Sequence, residues 1–449
     1  MAAALYIRAV NAQPAGILTP EEVTLQELAA LDQRLVAAVK GIKLLSAVSW
    51  PASVQAAYLE RWHKGKATLP EVQYPRFDFE GVRDQIEAIQ AVAKSYGDHP
   101  VADYIWRTAE SYAIATRLLD ALGTEAVTEH SVKLFGKPGD NVPGADLHNI
   151  DAARHFIFLA DELSRELATH EADYCLSAEI MREELQAALD AFFTRHKVRV
   201  DVDPTLIAKA AAGPTRIRLR SATAFSEYDR HQLLEHEAFV HSLTALNGRE
   251  QQHLASLGLN SPRITATQEG LATFAELITG SIDIGRMKRI SLRIIAIDLA
   301  LKGADFIDVF KFFMESGQTE ADSFTSAMRV FRGSPVSGGS AFTKDTVYLH
   351  GLLSVHTFFR WALKNRRLSL TRSLFAGKMA LHDRQADAAE GLAARLRVHY
   401  PGIEVCTGSS DPAGFDLVVN ATPMGMNPGD PLPLDVTRLD PSTFVGEVV

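Results

Sequence analysis

Apolar positions in the first half of the chain recur with a helical period. Over residues 24–50 they fall at Leu25, Leu28, Leu31, Leu35 and Val39, three or four apart, which gathers them on one helix face. Pro51 punctuates that run. The same period predicts helices over 79–96, 101–122 and 152–194, separated by Pro, Gly and Asp. The first 200 residues therefore read as mostly α, after a loose extension over 1–24 with a break at Gln13-Pro14-Ala15-Gly16. Trp50, Trp62 and Trp106 are read as core or groove residues.

The pattern then changes. Ile217-Arg218-Leu219-Arg220 alternates apolar and basic, the period of a half-exposed strand. Ser226, with Asp229 three residues on, is a helix-start signal. The helix it opens is predicted to stop near Asn247-Gly248, with the glycine as C-cap. Another helix starts near Thr265–Thr267, and further helices run to about Ala380. The last stretch alternates again: an amphipathic helix over 387–400, an apolar run over 403–406, and a β-rich run over 415–420. The chain stops at Val449 inside what reads as a strand, which points to truncation.

Composition narrows the function classes. The chain has 449 residues, enough for two or three domains, and a hydrophobic content of 47% typical of a globular protein. A net charge of −9 argues against nucleic acid as the main partner, because phosphate binding needs a basic face. The two cysteines, Cys175 and Cys406, are too few for a disulfide framework and suit a reducing compartment. No signal peptide is read at the N-terminus and no apolar run approaches the roughly 20 residues that span a bilayer, so the expectation is a cytoplasmic protein without a membrane role.

Candidate chemistry is concentrated in His236-Glu237-Ala238-Phe239-Val240-His241. Two imidazoles flank a carboxylate, the ligand-plus-base arrangement of a zinc peptidase with one residue more than H-E-x-x-H. A catalytic zinc takes three protein ligands and leaves one position open. Two His from one helix and a distant carboxylate would supply the three, and Glu237 would be the general base. The spacing is a difficulty, because positions five apart on an α-helix differ by about 140°. A π-bulge between the histidines would bring them together, so a distorted turn is predicted at Ala238–Val240. The third ligand is expected on the next helix: Glu269 is preferred, and Glu276, two turns further on the same face, is a supporting residue. The plain structural alternative is a solvated polar face.

These motifs carry a resemblance. His236 to His241, Thr244-Ala245-Leu246-Asn247-Gly248 and Gln268-Glu269-Gly270-Leu271-Ala272 resemble the QEGLA-motif family. Phe331-Arg332-Gly333, Gly338-Gly339 and the run from Phe342 to Leu349 fit it too. That family is similar to the microtubule-associated tyrosine carboxypeptidases, which are zinc enzymes. The resemblance covers roughly residues 24–380. It implies a mostly α, zinc-peptidase-like domain with a small β element, and Zn²⁺ held by His236, His241 and Glu269 with Glu237 as base. A carboxypeptidase also needs a cation for the terminal carboxylate and a donor for the oxyanion. Arg332 and Lys344 are the candidates for the first, Tyr348 for the second. The expected substrate is a peptide or protein C-terminus. The competing reading is a regulatory or binding protein on an inactive peptidase scaffold.

The end of the chain resembles something else. The run from Phe415 to Met426, the helix over 386–400 and the closing Phe444 to Val449 look like shikimate dehydrogenase near its nicotinamide. The glycine-rich pyrophosphate turn of that family is missing, and Leu374-Phe375-Ala376-Gly377-Lys378-Met379 stands in its place. Four segments are therefore expected: the extension over 1–24, a helical part over 25–200, a metallopeptidase-like core over 201–383, and an incomplete α/β, Rossmann-like fragment over 384–449. The join is placed at 381–385, by fusion or by sequence assembly. The fragment is expected to be inactive as a dehydrogenase.

Overall fold

The computed structural model describes residues 20–166, 176–204, 206, 209–221, 223–380, 417–420 and 444–447. Helix α1 (Pro20–Val39) carries the predicted stripe: Leu28, Leu31, Leu35 and Val39 are buried against Ile86 and Ile89 of α4 (Glu80–Lys94) and Ile105 and Ala109 of α5 (Pro100–Asp120). Its start at Pro20 shortens the expected extension. The predicted run to residue 50 is broken, because α1 ends at Val39 and α2 is a single turn, Leu44–Ala47. Pro51 starts a further helix, α3 (Ala52–His63), since its fixed φ suits the N-cap. By length and composition alone 23–63 would pass for a membrane span. It is three helices, and its apolar stripe is core.

The aromatics form the largest apolar cluster. Trp50 stacks on Phe306 at 5.6 Å, and Trp62 meets Phe310 edge-on at 4.9 Å. Trp106 packs against the α1–α4–α5 cluster, so all three tryptophans are packing residues, as the sequence suggests. The stretch after α5 holds α6 (Ala126–Phe135), and the run predicted over 152–194 divides into α7 (Asn149–Glu166) and α8 (Ala178–Phe192).

The predicted strand is β3 (Arg216–Arg220), the centre of a three-stranded sheet of order β1-β3-β2. Ile217 and Leu219 are buried against Met181, Leu185 and Leu189 of α8, while Arg216 and Arg218 reach Asp201 and Asp203 of β1 (Arg199–Asp203). β1 runs parallel to β3, and β2 (Ala210–Gly213) antiparallel. A capping box between Ser226 and Asp229 then opens α9 (Glu227–Leu233), as predicted. The helix continues as a nine-residue π-helix, Leu234–Ser242, and as α10 (Leu243–Arg249).

Gly248 is not the helix C-cap. It lies inside α10, and a Cβ there would sit 2.0 Å from the Leu257 carbonyl oxygen. Close approach of two backbones, rather than left-handed φ, requires the glycine. The same device recurs between α11 (Thr265–Ile278) and α15 (Thr346–Lys364). A Cβ on Gly270 would fall 2.2 Å from the Gly351 carbonyl carbon, and one on Gly351 2.1 Å from the Ala266 carbonyl oxygen. Around this crossing Leu271, Phe274, Leu349 and Leu352 pack with α7 and with α12 (Ile284–Leu301). α13 (Phe306–Glu315), α14 (Glu320–Phe331) and α16 (Ser369–Ser373) complete this part.

The chain divides into two units, one up to Leu381 and a smaller one over His382–Val449. In the smaller unit β4 (Leu417–Asn420) pairs in parallel with β5 (Phe444–Glu447). The helix expected over 387–400 and the run over 403–406 lie outside the described residues, as does the expected join.

Candidate metal centre

The π-helix resolves the spacing of the two histidines. Its hydrogen bonds run from i to i+5, so a residue five positions on becomes the neighbour one turn above. His236 and His241 accordingly sit with ring centroids 4.8 Å apart and planes at 84°. The distortion is longer than the predicted Ala238–Val240, covering two turns.

Glu269, from the first half of α11, faces both rings. Its Oε2 is 3.4 Å from Nε2 of His236 and 3.6 Å from Nε2 of His241. All three residues offer a ligand atom within 4.8 Å of the others. Atoms about 2.1 Å from a tetrahedral zinc lie roughly 3.4 Å from one another, so the two separations from Glu269 fit such an ion. The donor set, two imidazoles and a carboxylate, also suits it.

Glu276, one heptad further along α11, is fully buried and lies 2.6 Å from Nδ1 of His236. A hydrogen bond there leaves Nε2 as the nitrogen available to a metal ion. Arg286 pairs with both oxygens of Glu276, Nη2 to the same Oε1 at 2.6 Å and Nε to Oε2 at 2.5 Å. Burial alone would lower the His236 imidazole, but Glu269 and Glu276 outweigh it and raise it to about 10. His241, with burial dominant, stays below its ordinary value. The pocket thus favours positive charge at His236. Glu237 Oε2 accepts the Ala212 N–H of β2 at 3.0 Å.

The remaining predicted residues come from one turn and the helix after it. Lys344, in the 3₁₀ turn Thr343–Asp345, donates to Oε1 of Glu269 at 2.8 Å and to the Tyr348 hydroxyl at 3.2 Å. Arg332 stands further off. Its Nη2 lies 3.8 Å from Oδ1 of Asp345, it stacks on the Phe342 ring at 5.0 Å, and its Nε is buried without a hydrogen-bond partner. Asp345 also takes a bidentate pair from Arg329, at 2.5 and 2.7 Å, and faces Arg293 at 3.6 Å. Three guanidiniums therefore converge on one buried carboxylate. Arg329 also reaches the Tyr348 hydroxyl at 3.4 Å. Burial and Glu269 would raise that phenol, but Lys344 and Arg329 outweigh them and lower it.

The sequence reading missed Arg293, Arg329, Arg286 and Lys378. Arg329 and Arg332, three apart at the end of α14, were the available signal. Lys378 is buried, with Nζ 3.2 Å from the His241 carbonyl and 3.0 Å from Oε1 of Gln268; burial pushes it down to about 8. Asn247 and Gln251 bind the carbonyls of Phe375 and Ala376, which seats this segment beside α10. The motif Gln268-Glu269-Gly270-Leu271-Ala272 thereby separates into parts. Gln268 joins Thr244 to Lys378, Glu269 faces the histidines, Gly270 meets Gly351, and Leu271 and Ala272 are core.

A family model described as microtubule-associated tyrosine carboxypeptidase matches residues 61–391. No curated protein matches the chain.

Proposed function

The chain belongs to the microtubule-associated tyrosine carboxypeptidase family, and we propose that it is a zinc-dependent metallopeptidase that removes a C-terminal residue. The family gives the carboxypeptidase class and a peptide or protein substrate. The observation that carries the metal reading is the convergence of His236, His241 and Glu269, with ligand atoms 3.4 and 3.6 Å apart across Glu269. These three would hold the ion. When bound, zinc would acidify a water and polarise the scissile carbonyl.

In this reading Glu237 is the general base. It takes the proton of the attacking water as the new C–O bond forms and passes it to the amine as the C–N bond breaks. The Tyr348 hydroxyl donates to the oxyanion, and Lys344, 3.2 Å away, keeps that donor aimed. Arg332 and Lys344 supply positive charge for the terminal carboxylate, supported by the excess of guanidinium over carboxylate around Asp345. Glu276 fixes the His236 ring.

The test is metal content of the purified protein by mass spectrometry, beside His236→Ala. About one zinc per chain, lost in the variant, supports the reading. A screen of peptide C-termini then follows, with Glu237→Gln expected to lose about 10²-fold or more in kcat while keeping its metal. No metal in either protein after zinc is supplied sinks the proposal.

We infer separately that residues 384–449 are a shikimate-dehydrogenase-like fragment without a catalytic part. The unit boundary at Leu381 and the parallel β4–β5 pair support this. Hydride transfer from a nicotinamide cofactor by the purified protein would refute it.

A further inference from the structure

The two histidines of the centre are oriented by different means. His236 is fixed through its ring, by Glu276 on Nδ1. Among the described residues, nothing bonds Nδ1 of His241. Its hold is on the main chain instead: the His241 carbonyl accepts from Nζ of Lys378 at 3.2 Å. The same ammonium donates to Oε1 of Gln268, the residue before Glu269, at 3.0 Å. The Thr244 hydroxyl reaches both oxygens too, at 3.3 and 2.9 Å. A hydroxyl has one proton, however, and the Val240 carbonyl stands closest to it at 2.7 Å. Lys378 is therefore the donor that can serve both oxygens at once.

Lys378 is itself held firmly. Its N–H donates to the Leu257 carbonyl at 2.8 Å, and the carbonyls of Phe375 and Ala376 just before it are taken by Asn247 and Gln251. Gly377 lies directly on α10, where a Cβ would come 3.3 Å from the Cα of Gly248. The lysine is 3% exposed, and among the described residues no carboxylate pairs with its ammonium. Burial acts against its charge more than Glu269 and Glu237 act for it. A buried cation without an ion pair costs folding free energy, and methionine would fill much the same space without that cost. Stability alone does not account for a lysine here.

Resting on the zinc reading above, we infer that Lys378 is a positioning residue of the metal centre. Its ammonium ties the main chain of His241 to the side chain beside Glu269, and so sets the gap between these two ligands. The distance at stake is the 3.6 Å from Nε2 of His241 to Oε2 of Glu269. Lys378 does for His241, from the main-chain side, what Glu276 does for His236 from the ring side.

The probes are Zn²⁺ and Co²⁺ added to the metal-free protein, native and Lys378→Met. Zinc affinity is read by competition with a chelator, and the geometry around cobalt by its visible absorption. Lys378→Met is expected to bind zinc about 10–100-fold more weakly and to shift the cobalt bands. The metal-free variant is expected to melt at or above the native temperature, because an unpaired buried charge is gone. Gln251→Ala is the control: it removes the tie to the Ala376 carbonyl and leaves both acceptors of Lys378 in place. It is expected to melt lower, with the cobalt bands unchanged and zinc affinity within about twofold of native. Native affinity and native bands in Lys378→Met overturn the inference and leave the zinc reading standing. A Lys378→Met protein that fails to fold, or melts well below native, also overturns it, since the lysine is then structural. Bands that move equally in Gln251→Ala do the same. No metal bound by the native protein overturns the inference and the zinc reading together.

Discussion

Lys344 and Glu269 form a buried ion pair in which the carboxylate is divided between two duties. Oε1 takes the ammonium at 2.8 Å, and Oε2 turns to the two histidines. Burial would raise the Glu269 carboxyl, but Lys344 and the histidines hold it well below its ordinary value. Lys344→Met removes the cation and leaves the carboxylate in place. A loss of about 3–5 kcal/mol in chemical denaturation is expected, since breaking a buried pair strands its partner. An unchanged midpoint and slope would mean that the pair adds no stability.

Glu276→Ala tests the support of His236. The ring would keep its ligating nitrogen but lose the acceptor at Nδ1. Zinc affinity, measured by competition with a chelator, is expected to fall about 10–100-fold. Affinity equal to the native protein would show that the helix alone orients the ring.

Asp345 predicts an acid limit on stability. Burial would raise its carboxyl, yet Arg329 and Arg293 outweigh it and hold it well below its ordinary value of 3.8. A carboxylate depressed in the folded state contributes stability that is complete above the unfolded value and lost as pH falls through the folded one. The native protein should therefore lose stability from about pH 4 downward. Asp345→Asn should be less stable at neutral pH and should lack that part of the acid decline. Parallel denaturation curves of the two proteins at each pH make the comparison; identical pH slopes would refute the assignment.

Gly270→Ala tests the helix crossing. The added methyl would meet the Gly351 carbonyl carbon at 2.2 Å, which no rotamer change relieves. Overpacking costs about 1–3 kcal/mol where side chains can shift, and backbone cannot, so a loss at or above that range is expected. Because Glu269 is the adjacent residue, zinc affinity should fall with it. Calorimetric melting and chelator competition on one preparation would read both, and an intact melting temperature would contradict the contact.

Much of the site was legible because its chemistry lies in short spacings. The five-residue interval of His236 and His241 demanded an irregular helix, and Glu269 and Glu276 lie seven apart on one face of α11. What escaped was tertiary. Asp345 collects arginines from α12 and α14, and no local pattern announces that meeting. Gly248 has the look of a C-cap, and only the backbone of Leu257 explains it. The run Ala210-Ala211-Ala212-Gly213 has low strand propensity and is a strand because β3 pairs with it.

The Gly270–Gly351 contact has one more consequence. Glu269 stands on one of these helices, and Lys344 lies in the turn that leads into the other. The distance between them is gauged by peptide groups in contact, which have no rotamers to exchange. Sequence change in the surrounding core can soften the protein long before it moves the two charges apart. The spacing of Glu269 and Lys344 is thus insulated from drift in the residues that pack around it.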